Sequence, residues 1–205
     1  MLREVLRKPV AKLGLVLLAL MPFAWLCSGI FLDRLGPNPA EYLIRSTGDW
    51  TLRFLCVTLL VTPLRVICNM PELLRFRRNL GVLTFFYALM HALCYSVFDM
   101  GLEWDEIVLD IAKRPFIAVG FAGAVLLSLL AATSFNAAIK MLGAARWRSL
   151  HRAVYAIAVL AILHFFWMRS GKQNFSEVFV YAGILGALLG WRVWHAAHTR
   201  RLSRP

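Results

Sequence analysis

The sequence has few acidic residues and lacks the motifs of most soluble enzyme classes. Only 11 of its 205 residues are Asp or Glu, against 23 Lys and Arg, so its formal net charge is +12. It contains no glycine-rich phosphate loop and no low-complexity tract, and a nucleotide-binding domain is therefore not expected. Its four cysteines have no C-x-x-C spacing, which excludes the usual zinc and dithiol redox motifs.

Apolar residues are abundant and come in long runs. They make up 60% of the chain, with a mean hydropathy of +0.66, whereas an ordinary globular domain has about 45–50%. A membrane-spanning helix needs about 20 mostly apolar residues. The pattern predicts an all-α integral membrane protein, a six-transmembrane-helix bundle formed by one domain over residues 1–205, with spans at about 10–31, 50–68, 80–98, 115–134, 152–168 and 177–195.

Basic residues cluster in alternate connections between these spans. If the N-terminus is cytoplasmic, each inner segment holds four Lys or Arg, and the only inner acids are Glu4 and Glu72. This is the positive-inside pattern, so both termini are predicted to be cytoplasmic. The charge is then explained by topology and by attraction to anionic lipid heads, and nucleic acid is not an expected partner. The inner basic residues are Arg3, Arg7, Lys8, Lys12, Arg65, Arg75, Arg77, Arg78, Lys140, Arg146, Arg148, Arg152, Arg192, Arg200, Arg201 and Arg204.

Three of the five histidines lie in or at the edge of predicted spans. His91 is 14 residues beyond Arg77, and His164 is 13 residues beyond His151, which on a helix corresponds to depths of about 21 and 20 Å. The third and fifth spans run in the same direction, so His91 and His164 are predicted to share one depth in the outer half of the bilayer. His151 and Arg77 are predicted to share the inner edge.

Two histidines at one depth on parallel helices suit a ligand held between them. Haem b with two axial imidazoles fits, whereas zinc usually requires a third or fourth protein ligand. Ala88 and Ala92 beside His91 leave room for a close approach. The alternative is that each histidine only hydrogen-bonds a neighbouring helix, because polar residues in membranes are also used in that way.

Several short motifs, in order along nearly the whole chain, resemble the MsrQ (formerly YedZ) family of the ferric reductase-like transmembrane superfamily. They are Thr47-Gly48-Asp49-Trp50, Val61-Thr62-Pro63-Leu64-Arg65, Arg77-Arg78-Asn79-Leu80-Gly81, Tyr87-x-x-x-His91, Arg114-Pro115-Phe116, Thr133-Ser134 and Trp147-Arg148-x-Leu150-His151-Arg152-x-x-Tyr155, followed by His164.

The resemblance implies a function that composition does not give. MsrQ-like proteins are multi-pass proteins of the bacterial inner membrane that carry haem b, and FMN as well. They pass electrons from the respiratory quinone pool to MsrP, a periplasmic molybdopterin enzyme that reduces methionine sulfoxide in oxidised proteins. By this resemblance the chain is an electron-transfer subunit with no catalytic residue for sulfoxide reduction, and His91 and His164 bind the haem iron.

The inner pair departs from the pattern of the wider superfamily. NADPH oxidase-like members hold two haems with four histidines, two on each of two spans, and here the inner partner of His151 is replaced by Arg77. Arginine stays protonated and offers only donors, so it is not an ordinary iron ligand, but it suits a phosphate. We expect FMN there, with its phosphate held by Arg77 and by Arg78 or Arg148. One alternative is a haem ligated by His151. Another is that Arg77 binds no ligand and is only one of the basic residues that keep this end of the span on the cytoplasmic side.

Other functions remain open at this stage. NADPH oxidase-like members also have a cytosolic flavin and nicotinamide domain after the sixth span, and the sequence up to Pro205 does not include one. Electrons would then come from quinol or from a separate cytosolic flavin reductase. A b-type cytochrome that reduces a metal ion directly is one alternative. A histidine-dependent proton-coupled transporter is another, although no mid-membrane carboxylate is predicted. The acidic segment from Glu103 to Glu106 is a hypothetical docking site for the periplasmic partner.

Overall fold

A computed structural model of the chain describes residues 2–171 and 173–202. Within those residues the secondary structure is helical and no strand occurs. The helices are α1 (Leu2–Arg7), α2 (Pro9–Phe31), α3 (Pro39–Ile67), α4 (Leu74–Cys94), α5 (Trp104–Lys113), α6 (Pro115–Ala132), α7 (Asn136–Leu150), α8 (Val154–Ser170) and α9 (Ser176–Leu202). A 3₁₀ turn (Pro71–Leu73) precedes α4, a π-helical turn (Tyr95–Asp99) follows it, and a second 3₁₀ turn (His151–Ala153) joins α7 to α8.

Six helical stretches of the described chain are long and apolar enough to cross a membrane. This confirms the predicted all-α fold with six transmembrane helices. The stretches are Pro9–Phe31, Pro39–Ile67, Pro71–Asp99, Pro115–Ala132, Asn136–Ser170 and Ser176–Thr199.

The second of these helices begins earlier than the hydropathy window at residue 50. The side-chain oxygen of Asn38 accepts a hydrogen bond from the Glu41 N–H at 3.1 Å, and Pro39 occupies the first helical position. Both features favour a helix start at this point. Helix α3 therefore includes Asp49, a carboxylate that the sequence pattern assigned to the segment outside the span.

The helices pack as two closely associated pairs, α3 with α4 and α6 with α8. The largest buried cluster joins α3, α6, α8 and α9 around Leu59 and Ala158, whose side chains are almost fully buried. A second cluster joins α2, α3 and α4 around Tyr87. These two pairings bring His91 on α4 and His164 on α8 to the same part of the bundle.

Tyr87 connects α4 to α2 through a specific pair of hydrogen bonds. Its hydroxyl accepts from the Phe23 N–H at 3.1 Å and donates to the Ala19 carbonyl at 2.8 Å. These two main-chain groups would pair with each other in an uninterrupted helix, and the neighbouring Pro22 interrupts α2 at this point. The buried hydroxyl thus satisfies both groups and fixes the position of α4 against α2.

Candidate functional site

His91 and His164 face each other across one cavity. Their ring centroids are 6.1 Å apart, and the two ring planes are nearly perpendicular, at 78°. Both side chains line a cavity of about 310 Å³, which is otherwise mostly apolar. We call this the histidine cavity. The structure thus brings together the two residues that depth along the spans had paired.

Each of the two imidazoles is held by a main-chain carbonyl of the neighbouring helix. The Nδ1 atom of His91 lies 2.8 Å from the Ile44 oxygen, and that of His164 lies 2.6 Å from the Phe116 oxygen. A carbonyl oxygen only accepts hydrogen bonds, so each Nδ1 carries the proton. In a neutral imidazole the other nitrogen, Nε2, then has a free lone pair, as in metal-ligating histidines.

Two glycines make these contacts sterically possible. A Cβ on Gly48 would lie 3.1 Å from Cε1 of His91, and a Cβ on Gly120 would lie 2.7 Å from Nδ1 of His164. Gly48 follows Ile44 by four residues and Gly120 follows Phe116 by four, so each glycine lies one turn beyond the accepting carbonyl. Each histidine ring therefore enters a notch formed by a carbonyl and a glycine on the adjacent helix.

The residues of this cavity fit haem b better than a bare metal ion. Among residues 2–171 and 173–202, no group of three or more His, Cys, Asp or Glu side chains could hold a metal ion. Two imidazoles suffice for haem, because the porphyrin supplies the other nitrogen ligands. Their centroid separation of 6.1 Å also agrees with metal–imidazole bonds of about 2 Å on either side of one ion.

The predicted inner residues line a second cavity of about 590 Å³. Arg77 and Arg78 come from α4, Arg148 comes from α7, and His151 follows it in the adjoining 3₁₀ turn. We call this the arginine cavity. Arg152 also lines it, and no described residue of its wall is an Asp or Glu. The cavity is therefore positively charged, which suits an anionic ligand.

Arg77 is one of two guanidinium groups of this cavity, with Arg148, that have no hydrogen bond or ion pair to a described residue. Arg78, in contrast, donates to the Asn136 side chain at 2.6 Å. An unpaired, partly buried guanidinium keeps its donors available for a bidentate contact with a phosphate.

His151 is bound differently from the other two histidines. Its ring stacks on Trp147 at 4.0 Å between centroids, and its Nε2 lies 3.2 Å from Oγ1 of Thr133. That hydroxyl donates its own hydrogen to the Leu129 carbonyl at 2.8 Å, so it accepts the hydrogen of Nε2. The nitrogen that is free for iron in His91 and His164 is therefore occupied in His151.

The two cavities share part of their walls. Leu55, Thr84 and Leu127 line both of them. These three side chains would consequently lie between a ligand in the histidine cavity and a ligand in the arginine cavity.

The sequence indicated the two histidines but not the features that hold them. Ala88 and Ala92, expected to leave room beside His91, do line the histidine cavity. The closest approaches, however, are at Gly48 and Gly120 on other helices. For Gly120 the detectable signal was its position inside the predicted span at 115–134, because glycine in a membrane helix often marks a close helix approach. Gly48 precedes the predicted span at 50–68 and gave no such signal.

Asp49 is a further residue that the sequence pattern did not assign. It lies within α3, its carboxyl-bearing side chain lines the histidine cavity, and it also lines a groove between α2 and α3. Asp49 thus lies within a helix long enough to span a membrane, whereas the sequence pattern assigned it to an outer connection. Intramembrane carboxylates are costly and usually functional.

The chain is similar to proteins of a known transmembrane family. Residues 47–162 match the family model of the ferric reductase like transmembrane component. No solved structure matches the chain.

Three curated relatives, each called the protein-methionine-sulfoxide reductase heme-binding subunit MsrQ, are similar over most of their length. The protein of Polaromonas naphthalenivorans is 61% identical over 94% of this chain and 89% of its own. That of Ralstonia nicotianae is 52% identical over 89% and 84%, and that of Caulobacter vibrioides is 41% identical over 94% and 91%. The chain therefore belongs to the MsrQ family of ferric reductase-like transmembrane proteins.

Proposed function

We propose that this protein is the haem b-binding membrane subunit of a methionine sulfoxide reductase and carries electrons to a separate catalytic subunit. His91 and His164 bind the haem iron in the histidine cavity. When bound, haem b supplies a one-electron redox couple. The observation that supports this proposal most directly is the pair of Nδ1 contacts to main-chain carbonyls, because they fix both rings and leave both Nε2 atoms free.

The arginine cavity is proposed to bind FMN. Arg77 would hold the phosphate together with Arg78 or Arg148, since these are the guanidinium groups at that wall. His151 would line the flavin site and would not ligate iron, because its Nε2 faces the Thr133 hydroxyl. The side chains common to both cavities would separate the flavin from the haem by a short distance.

Electrons are proposed to come from quinol of the respiratory pool, with a cytosolic flavin reductase as the alternative donor. The acceptor is proposed to be a periplasmic molybdopterin reductase of the MsrP type. Sulfoxide reduction would occur there, which agrees with the names of the relatives as heme-binding subunits. The chain would contribute the route for electrons and no residue of the sulfoxide chemistry.

The protein is proposed to be a single domain in the bacterial inner membrane with both termini in the cytoplasm. The basic residues around α4, α7 and the end of α9 support this orientation. It would place the arginine cavity near the cytoplasm and the histidine cavity near the periplasm.

The test of the haem proposal is the absorption spectrum of the detergent-purified protein before and after dithionite. We expect a Soret band that shifts on reduction, and we expect its loss in His91→Ala and in His164→Ala. His198→Ala is the matched control, because His198 stacks on Trp194 of the same helix and lines neither cavity. A wild-type protein without a Soret band, expressed with haem available, would contradict the proposal. Retention of the band in both His91→Ala and His164→Ala would show that the ligands lie elsewhere.

A further inference from the structure

A wide groove runs between α2 and α3, and no residue of α6 or α8 is among the described residues that line it. Its volume is about 1130 Å³, and most of its wall is apolar, with Leu18, Trp25 and Phe54 among the lining residues. The α2 side chains at its edge are largely exposed, Leu18 by 65% and Met21 by 63%. In a membrane these side chains contact hydrocarbon, so the α2–α3 groove opens sideways to lipid.

Polar side chains of α3 nevertheless face this groove. Tyr42, Ser46, Asp49 and Arg53 follow one another at intervals of four, three and four residues, and all four line the groove. This spacing puts them on one face of the helix. Polar side chains that face lipid are unfavourable unless they form hydrogen bonds with a ligand or with another polar group.

Asp49 is the one carboxylate among these four residues, and the charge of Arg53, one turn further along α3, acts on it. It forms no hydrogen bond or ion pair with any described residue, whereas Arg53 donates to the Tyr181 hydroxyl at 3.2 Å and lies 4.6 Å from the ring centroid of Trp50. The Asp49 carboxylate is therefore available to accept a hydrogen bond from a molecule in the groove.

The position of Asp49 connects this groove to the proposed haem site. The residue lines both the α2–α3 groove and the histidine cavity, and its neighbour Gly48 lies against the His91 ring. A molecule whose polar head contacts Asp49 from the groove would therefore lie beside the histidine cavity, with the rest of the molecule in the apolar part of the groove.

The chemistry of the groove favours one class of membrane-soluble ligand. An isoprenoid quinol has a long apolar tail and a small head whose hydroxyl donates a hydrogen bond to a carboxylate, while the carbonyl of the oxidised form accepts from a guanidinium or hydroxyl. Asp49 provides the acceptor, and Arg53 and Ser46 provide donors. A phospholipid would instead bring an anionic phosphate toward the Asp49 carboxylate, which is unfavourable.

We propose that the α2–α3 groove is the quinol-binding site of this protein, with the head at Asp49 and the tail between α2 and α3. This rests on the proposed function, in which quinol is the electron donor. It assigns the donor site to the edge of the histidine cavity and not to the arginine cavity.

Photocrosslinking tests the location directly and does not depend on activity. The haem-loaded protein in nanodiscs is labelled with a photoreactive azido-ubiquinone, and labelled peptides are identified by mass spectrometry. We expect labels on α2 and α3, and we expect unlabelled ubiquinone to compete with them.

Three variants sharpen the test. Ser46→Phe fills the groove and is expected to reduce labelling by azido-ubiquinone. Asp49→Asn removes the charged acceptor of the quinol hydroxyl and is expected to weaken ubiquinol binding about tenfold, the effect of losing one hydrogen bond to a charged group. Leu60→Phe is the matched control, because Leu60 is an exposed α3 residue outside the groove. Wild-type labelling of Ser46→Phe together with wild-type ubiquinol binding by Asp49→Asn would overturn the site.

The outcomes distinguish failure of the quinol site from failure of the proposal that quinol is the electron donor. The quinol site would be overturned by labels confined to residues of the arginine cavity, or by phospholipid in the groove without quinone labelling. In either case, reduction of the haem by quinol would still support quinol as the electron donor. Absence of any specific label together with no reduction of haem by quinol would contradict the quinol donor itself, and this site with it.

Discussion

A Cβ on Gly120 would lie 2.7 Å from Nδ1 of His164, closer than side-chain carbons normally approach a ring atom. Gly120 therefore determines whether the imidazole reaches the Phe116 carbonyl. We predict that Gly120→Ala displaces the His164 ring and lowers haem content, because overpacking costs about 1–3 kcal/mol. The measurement is haem per protein after purification.

Alanine substitutions at two other glycines are the controls for Gly120→Ala. A Cβ on Gly48 would be less crowded, 3.1 Å from the His91 ring, so Gly48→Ala is expected to retain more haem. A Cβ on Gly123 would meet only Leu160 at 3.8 Å, so Gly123→Ala is expected to resemble the wild type. Equal haem content in Gly120→Ala and Gly123→Ala would show that the notch at Gly120 does not position His164 for the cofactor.

Arg77 is expected to hold a flavin phosphate. We predict that Arg77→Ala lowers the FMN content of the purified protein by about tenfold or more, because a hydrogen bond to a charged group contributes about 1.5–3 kcal/mol. FMN is measured by fluorescence after denaturation. The control is Arg146→Ala, which removes an exposed arginine of α7 that does not line the arginine cavity.

Two outcomes would contradict the role of Arg77 in binding FMN. If Arg77→Ala and Arg146→Ala contain as much flavin as the wild type, Arg77 does not bind it. If the wild type instead contains two haems and no flavin, the arginine cavity holds the second haem. In that case His151→Ala is expected to remove one of the two.

The Tyr87 hydroxyl is predicted to stabilise the fold without binding the cofactor. Tyr87→Phe leaves the Phe23 N–H and the Ala19 carbonyl without their partner, and we expect a loss of about 1–3 kcal/mol in the free energy of unfolding. Thermal unfolding in detergent measures this change, with haem content expected to be nearly unchanged at low temperature. Tyr42→Phe is the control, because the structure gives the Tyr42 hydroxyl no hydrogen bond to a described residue. Equal melting temperatures for the two variants would contradict the role of Tyr87.

The exposed acidic residues at the start of α5 are predicted to guide docking of the catalytic subunit. Asp105 and Glu106 are both exposed, and they lie on a short helix that connects two spans. Reversing both to lysine is expected to slow electron transfer to the partner most strongly at low ionic strength, because exposed charges act mainly on association rates. Stopped-flow oxidation of the reduced haem by the partner measures this rate. The control is Asp33→Lys in the α2–α3 connection, and equal rates for the two variants at low salt would contradict docking at α5.

The class of fold and the pairing of the histidines could be predicted from the amino-acid sequence. Six apolar runs predicted the six membrane-spanning helices, because a helix that satisfies its own backbone groups is the favourable way for such a run to cross lipid. Equal depth along parallel helices paired His91 with His164, because helical rise is constant. The motifs around these residues indicated the family to which the chain belongs.

The surroundings of each of these residues depend on helix packing and could not be predicted from the sequence. The contacts of His91 with Ile44 and of His164 with Phe116 depend on which helices are neighbours and how they rotate, and hydropathy does not specify either. The same applies to His151, which sequence left as a possible iron ligand and whose Nε2 faces Thr133. Asp49 entered a span because the helix start depends on a local cap and a proline and not on hydropathy, and its place between two cavities follows from packing alone.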